Sequence, residues 1–320
     1  MENYNEFNDQ DFIYALAVLE RQEGVPLCVS ARQSGLYLSD DGCRTWRSAY
    51  TSLNLEAPLP TTCLAAASDF ATRPMLIVGV PGGVLISEDG GASWLSAHLP
   101  SPAPLPSALA ISPDFARDNL LLMGSSEDGV LRSINQGASW KAWNFGLVDF
   151  NVLCLAISPA FAEDQTVYAG VSTGLVVSRS GGRSWRELIL PSSPAAVLSL
   201  AVSPAFAQDG RLYAGTEGAG LFTSADRGKN WTRLGAGILE GNINQVLIPG
   251  AKLAPGANPA PGADAAGLWV VHEDALFHSP DGGETWSQVI AEGVACIAAA
   301  RGLSPRGLLV GMSDGSVKPL

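Results

Sequence analysis

Six similar eight-residue stretches, each closing on tryptophan, constrain this chain more than anything else in it. They read "SDDGCRTW" (39–46), "SEDGGASW" (87–94), "SINQGASW" (133–140), "SRSGGRSW" (178–185), "SADRGKNW" (224–231) and "SPDGGETW" (279–286). The tryptophans are separated by 48, 46, 45, 46 and 55 residues. A steady period of this length means that one supersecondary unit is built again and again. Such a unit cannot bury its apolar face alone, so neighbours must stack to make the core.

Each period has the same inner grammar. In the fifth, "VLSLAVS" (197–203) is an apolar run suited to a buried strand, and "PAFAQDG" is a turn-rich connector. "RLYAGT" (211–216) and "LFTS" (221–224) follow as strands around a tight turn, and "WTRLG" (231–235) is a fourth. Four short strands in about 46 residues make one propeller blade. Six full units run from about Phe12 to Ile290. Residues 291–320 hold three more strands, which residues 1–11 could complete. The expectation is an all-β, seven-bladed β-propeller closed by an N-terminal strand, with six blades and a tail as the alternative. Closure of this kind removes free sheet edges. The stretch "PGAKLAPGANPAPGADAAG" (249–267) accounts for the one long gap and reads as a Pro/Gly/Ala-rich loop insert within a single domain.

The repeated motif falls between the third and fourth strands of a blade, where its residues read as structural. They are Ser39, Asp41 and Trp46; Ser87, Asp89, Gly91 and Trp94; Asn135, Gly137 and Trp140; Gly182 and Trp185; Asp226, Gly228 and Trp231; Asp281, Gly283 and Trp286. An Asp here can accept backbone N–H groups two residues on, as in an Asx turn. Glycine allows positive φ, and the indole can bury between blades. Asn135 and Ser180 stand where other repeats have Asp. A short polar acceptor is kept and a catalytic acid is not.

These motifs resemble the Asp-box, or bacterial neuraminidase, repeat. That repeat occurs in sialidases, xyloglucanase-type glycoside hydrolases, sortilin-type receptors and photosystem II assembly factors. The resemblance covers nearly the whole chain and implies the propeller fold. It does not choose a function, because one fold hosts many. It also implies that ligands meet the face opposite the motifs, formed by the turns from second to third strand and by the links between blades.

That face carries the candidate residues. Sialidases grip a substrate carboxylate with three arginines and bear a Phe-Arg-Ile-Pro motif, which is absent here. Only Arg32 falls on the face by strand order; Arg233, for example, falls on an outer strand. Its acids are Glu127, Asp128, Asp149, Glu217, Glu273, Asp274 and Asp314, with His272 beside them. Two carboxylates about 5 to 9 Å apart would suffice for a glycosidase, with Glu127, Asp128, Glu217, Glu273 and Asp274 as candidates. Sugar platforms of aromatic residues are missing from these turns, so a solvated acidic rim is the plainer reading. His98 and His278 lie on other strands, so no metal site is expected, and no cofactor is implied.

Cys63, Cys154 and Cys296 take the place of Ala108 and Ser199 in their first strands, which points to packing of small residues. A formal charge of −12 argues against nucleic acid or an anionic membrane as partner. No apolar run of 18 residues is present, and the polar start "MENYNEFNDQDF" does not read as a signal peptide. Together these give the expectation of a cytoplasmic, non-catalytic scaffold or assembly factor of a bacterial complex, binding another protein with a basic surface. The alternative is a module that binds or hydrolyses neutral glycans at the acidic face.

Overall fold

The computed structural model describes residues 11–192, 194–249, 267–300, 303 and 306–320. The chain is a seven-bladed β-propeller of antiparallel sheets. Blades 1 to 6 span 13–48, 63–96, 105–142, 152–188, 197–234 and 243–290, each with four strands hydrogen-bonded in chain order. Blade 7 (294–319) has three strands among the described residues. Its expected fourth strand, from residues 1–11, lies outside them save for Asp11, and so does most of the 249–267 insert.

Blade 5 follows the sequence grammar closely: Val197–Val202, Leu212–Thr216, Leu221–Ser224 and Thr232–Leu234. The connectors between first and second strands are more regular than their turn-rich composition implies. "FARD", "FAED" and "FAQD" each form one helical turn, at Phe115–Asp118, Phe161–Asp164 and Phe206–Asp209. The Phe is buried in each. The closing Asp accepts from the serine six residues before it, as in Ser112 Oγ to Asp118 at 2.6 Å. Burying the ring stabilises the turn by roughly 2 kcal/mol, enough to hold a segment too short to be helical alone.

Two compact units carry the blades. One holds blades 1, 2, 3 and 7; the other, Trp143–Glu292, holds blades 4, 5 and 6. Within each, the apolar core lies between neighbouring sheets. One cluster joins Leu27, Val29 and Leu36 of blade 1 to Leu76, Val78 and Trp94 of blade 2. Another joins Tyr168 and Leu175 of blade 4 to Leu212 and Phe222 of blade 5.

The small residues of the first strands find their reason here. Cys63, Ala108, Cys154, Ser199 and Cys296 pair in register with Gly79, Gly124, Gly170, Gly215 and Gly311 of the second strands. A Cβ at Gly170 would lie 2.3 Å from the carbonyl oxygen of Val197 in the next blade, and one at Gly215 would lie 2.6 Å from Ile243 Cγ2. Neighbouring sheets approach too closely there for any side chain. Burial pushes the thiols of Cys63, Cys154 and Cys296 up to about 12, which makes them inert packing groups.

Candidate functional site

The eight-residue motif forms one latch, repeated. In the second copy Ser87 Oγ donates to Asp89 Oδ1 at 2.8 Å and accepts from Gly91 N at 2.7 Å. Asp89 Oδ1 accepts from Ala92 N and Ser93 N at 3.0 and 2.9 Å, while its Oδ2 accepts from Ser93 Oγ. The expected Asx turn is therefore corrected. The carboxylate reaches N–H groups three and four residues on, because the intervening glycine turns the chain back toward it. Asp41, Asp226 and Asp281 repeat this pattern. Hydrogen bonds from Asn230 and Ser224 hold Asp226 down to about 2, and those from Thr285 and Ser279 lower Asp281 as well. A carboxylate so held is a permanent anion and acceptor, not a general acid.

Burial divides the six tryptophans into two sets of three. Trp94, Trp140 and Trp185 are almost fully enclosed, and Trp140 packs with Ile77 and Ile86 of the preceding blade. Trp46, Trp231 and Trp286 remain partly exposed.

On the opposite face the candidates meet several fates. Arg32 is not on the surface: its side chain is 0% exposed. Nη1 donates to Gly315 O at 2.8 Å, Nε donates to Ser30 Oγ, and Asp11 lies 3.7 Å away. Asp11 in turn accepts from Ser34 N and Ser34 Oγ. Desolvation lowers the pKa of Arg32, and the charge of Asp11 opposes this. The side chain therefore joins blade 1 to blade 7 rather than facing a partner. Arg233 is corrected in the other direction. Its backbone is on the outer strand, yet its guanidinium pairs with Glu240 and lies beside Gly220 in a turn of the candidate face. A long side chain carries its charge away from its own strand.

Three of the acids serve the fold. Asp149 accepts from Asn151 N, Ser172 Oγ, Thr173 N and Thr173 Oγ1, all within 2.9 Å. Its partial burial raises its pKa, but those bonds outweigh that and hold it below the usual range. Asp314 is lowered by its own bonds to Ser316. Glu273 accepts from the backbone and the side chain of Asn242, at 2.9 and 3.3 Å. Glu127, Asp128, Glu217 and Asp274 lie exposed at the tips of their turns.

One convergence escapes sequence reasoning. Asn242, in the link from blade 5 to blade 6, also accepts from Gly218 N at 2.9 Å. Glu273 O accepts from Asn244 Nδ2 at 2.6 Å. His272 Nε2 lies 2.5 Å from Glu240 O, so this ring nitrogen carries the proton, because a carbonyl can only accept. Asn242 thus ties the Glu217 turn to the Glu273 turn, while Glu240 contacts both His272 and Arg233. The only sequence signal is the polar pair "NIN" (242–244) at the start of an otherwise apolar strand. Among the described residues, no three His, Cys, Asp or Glu side chains gather as metal ligands. His278 stacks on Trp269 at 4.2 Å, and His98 lies just past the outer strand of blade 2.

The segment from Trp143 to Phe150 links blade 3 to blade 4 and exposes Trp143, Phe145, Val148 and Phe150. It is pinned by Trp185, whose Nε1 donates to Trp143 O and whose backbone N donates to Phe145 O. A separate groove of about 780 Å³ runs beside the outer strand of blade 1, lined by Tyr37, Trp46, Tyr50 and Leu59. Its lining holds a single carboxylate, Glu56, so it offers no acid–base pair.

No family model matches this sequence, and no curated protein matches it. Solved structures do. An extracellular domain described as part of a one component system from B. thetaiotaomicron superposes with a TM-score of 0.71 at 15% identity, over 99% of this chain and 39% of that one. The GH74 xyloglucanase from Xanthomonas campestris gives 0.69 at 18% identity, over 98% of this chain and 52% of that one. YCF48 bound to D1 peptide gives 0.66 at 17% identity, over 98% and 92%. The chain thus spans about two fifths to one half of the first two and nearly all of the third. At these identities the likeness establishes the β-propeller fold. The neighbours include a glycoside hydrolase and a protein that binds a peptide. No helix among the described residues is long and apolar enough to cross a membrane.

Proposed function

We propose that this chain is a non-catalytic interaction propeller, built of Asp-box repeats, that docks a peptide segment of another protein. The observation that carries this reading is the state of the face acids. Asp149 has four donors on its carboxylate, and Glu273 is engaged on both oxygens by Asn242. A glycosidase needs one carboxyl that keeps a proton near neutrality and a second one free to attack or to activate water. Residues already acting as acceptors for turn N–H groups suit neither task. They suit a stiff rim.

The remaining acids, Glu127, Asp128, Glu217 and Asp274, give that rim its charge, so a basic segment is the complementary partner. The exposed Trp143–Phe150 link supplies aromatic anchors of the kind that dominate protein interfaces. The peptide-bound neighbour, nearly coextensive with this chain, supports the same direction.

The test is binding to an immobilised array of peptides graded in charge and apolar content. Retention of basic, apolar-containing peptides is expected, weakening as salt rises from 50 to 500 mM, on the order of the screening range. Glu217→Gln with Asp274→Asn should reduce it several-fold. No charge preference on the array would overturn the reading. The glycan alternative is favoured by the xyloglucanase neighbour. It requires turnover or retention of soluble β-glucans, abolished by an amide at one or two of Glu127, Asp128, Glu217, Glu273 and Asp274.

A further inference from the structure

We propose that Cys28 and Cys43 form an intramolecular disulfide that staples the second strand of blade 1 to its eight-residue turn. The argument comes from comparing blades. In blades 2 and 3 the residue paired across the sheet with the motif serine is leucine: Leu76 opposite Ser87, and Leu121 opposite Ser133. Four residues past each serine comes the motif glycine, Gly91 or Gly137. These two positions touch. A Cβ added at Gly91 would lie 3.5 Å from Leu76 Cδ1, and one at Gly137 would lie 3.1 Å from Leu121 Cδ1. In blades 4 to 6 the first position holds Val167, Leu212 and Leu268, and the second is again glycine. Blade 1 alone of these six departs, and it departs at both positions together. Cys28 pairs with Ser39, and Cys43 stands at the glycine position.

Packing does not account for the exchange. Cys43 has φ of +70°, a region that residues bearing a Cβ rarely adopt and that its counterparts meet with glycine. Cys63, Cys154 and Cys296 each face a glycine, whereas Cys28 and Cys43 face each other with their Sγ atoms 2.6 Å apart. The pair packs with Ala300 and Leu309, so the cross-link sits in the seam where blade 1 meets blade 7.

The oxidant is a small disulfide, RSSR, of the oxidised-glutathione class. Cys43 is partly exposed and Cys28 fully buried, so the reagent meets Cys43 first. The Cys43 thiolate attacks one sulfur of RSSR, giving the mixed disulfide and releasing RS⁻. The Cys28 thiolate then attacks Cys43 Sγ and releases the second RS⁻. The two thiol protons end on two RSH, and two electrons pass from the protein sulfurs to the small disulfide. The new bond closes a loop between residues 15 apart. In the chain-entropy account such closure stabilises by constraining the unfolded chain.

The full chain is incubated with oxidised glutathione, denatured, alkylated with iodoacetamide and weighed. Three adducts are expected, on Cys63, Cys154 and Cys296, against five after prior reduction. A digest should yield one linked peptide pair containing Cys28 and Cys43. Oxidation should raise Tm by a few degrees in the native chain. A Cys28→Leu, Cys43→Gly variant, which restores the pattern of the sister blades, should fold with a Tm indifferent to redox state. Five adducts after oxidation would overturn the proposal, as would a linked pair involving any other cysteine. So would protection of the two thiols that a chelator removes and a reductant does not, since the pair would then be holding a soft metal ion.

Discussion

The turns of blades 2 and 4 follow one backbone path with different chemistry at its centre. In blade 2, Asp89 accepts from two backbone N–H groups and two hydroxyls. In blade 4, Ser180 shares hydrogen bonds with Ser178 and Ser184 and accepts from Ser184 N alone of the later N–H groups. Blade 3 lies between them, with Asn135 accepting from Ser139 N. All three keep the outer tier, in which the first serine accepts from the glycine N–H four residues on, at 2.7 to 2.9 Å. All three also keep a buried tryptophan. The difference separates what the turn requires, a serine, a glycine and an indole, from what the aspartate adds to it.

The largest effect should come from the shared parts. Trp140→Ala removes an indole packed against blade 2, and a loss of about 3–5 kcal/mol is expected, read as a fall in Tm. Gly137→Ala combines a φ of +88° with a Cβ 2.3 Å from Ile86 Cδ1, and should cost about 2–4 kcal/mol by the same measurement. If either change were silent, the turn would not depend on what its copies share.

Asp89→Ala should cost about 1–2 kcal/mol, as for loss of a capping acceptor, whereas Ser180→Ala should cost less. Equal losses would erase the distinction between the two turns. The aspartate contribution is also pH-dependent. Asp226 is held at about 2, against an ordinary value of about 3.9 in the unfolded chain. Its stabilisation is therefore complete above about pH 4 and is lost as pH falls toward 2. Asp226→Asn should lower Tm at pH 7, with the gap to the native chain closing by pH 2. The smallest effect belongs to Ser180→Asp, which offers blade 4 the missing acceptor and should change stability by less than about 1 kcal/mol, in the favourable direction.

The repeat was legible because it is local. A serine, a glycine and a tryptophan at fixed offsets encode one turn wherever they recur, so six units and the strand order within each could be read along the chain, with a seventh preferred from the strands that follow them. The candidate face was legible only as a set of turns. Strand order assigned Asp149 to a link between blades and Glu273 to a turn, but it could not show that Ser172, Thr173 and Asn242 occupy their oxygens. It counted Arg32 as exposed and Arg233 as remote. Which way a guanidinium reaches depends on neighbours far away in the chain, and no offset in the sequence records that.

The amino-acid sequence by itself determined the unit and the place of the turn that closes it, and it favoured seven such units over six. Those follow from periodicity, from φ preferences and from the short reach of serine and aspartate side chains. Tertiary structure alone decided that Arg32 would be buried between blades 1 and 7 against Asp11, that Asn242 would join two turns, and that Cys28 and Cys43 would face one another. Each of these depends on groups brought together across strands, and the distance between them is set by how the sheets pack.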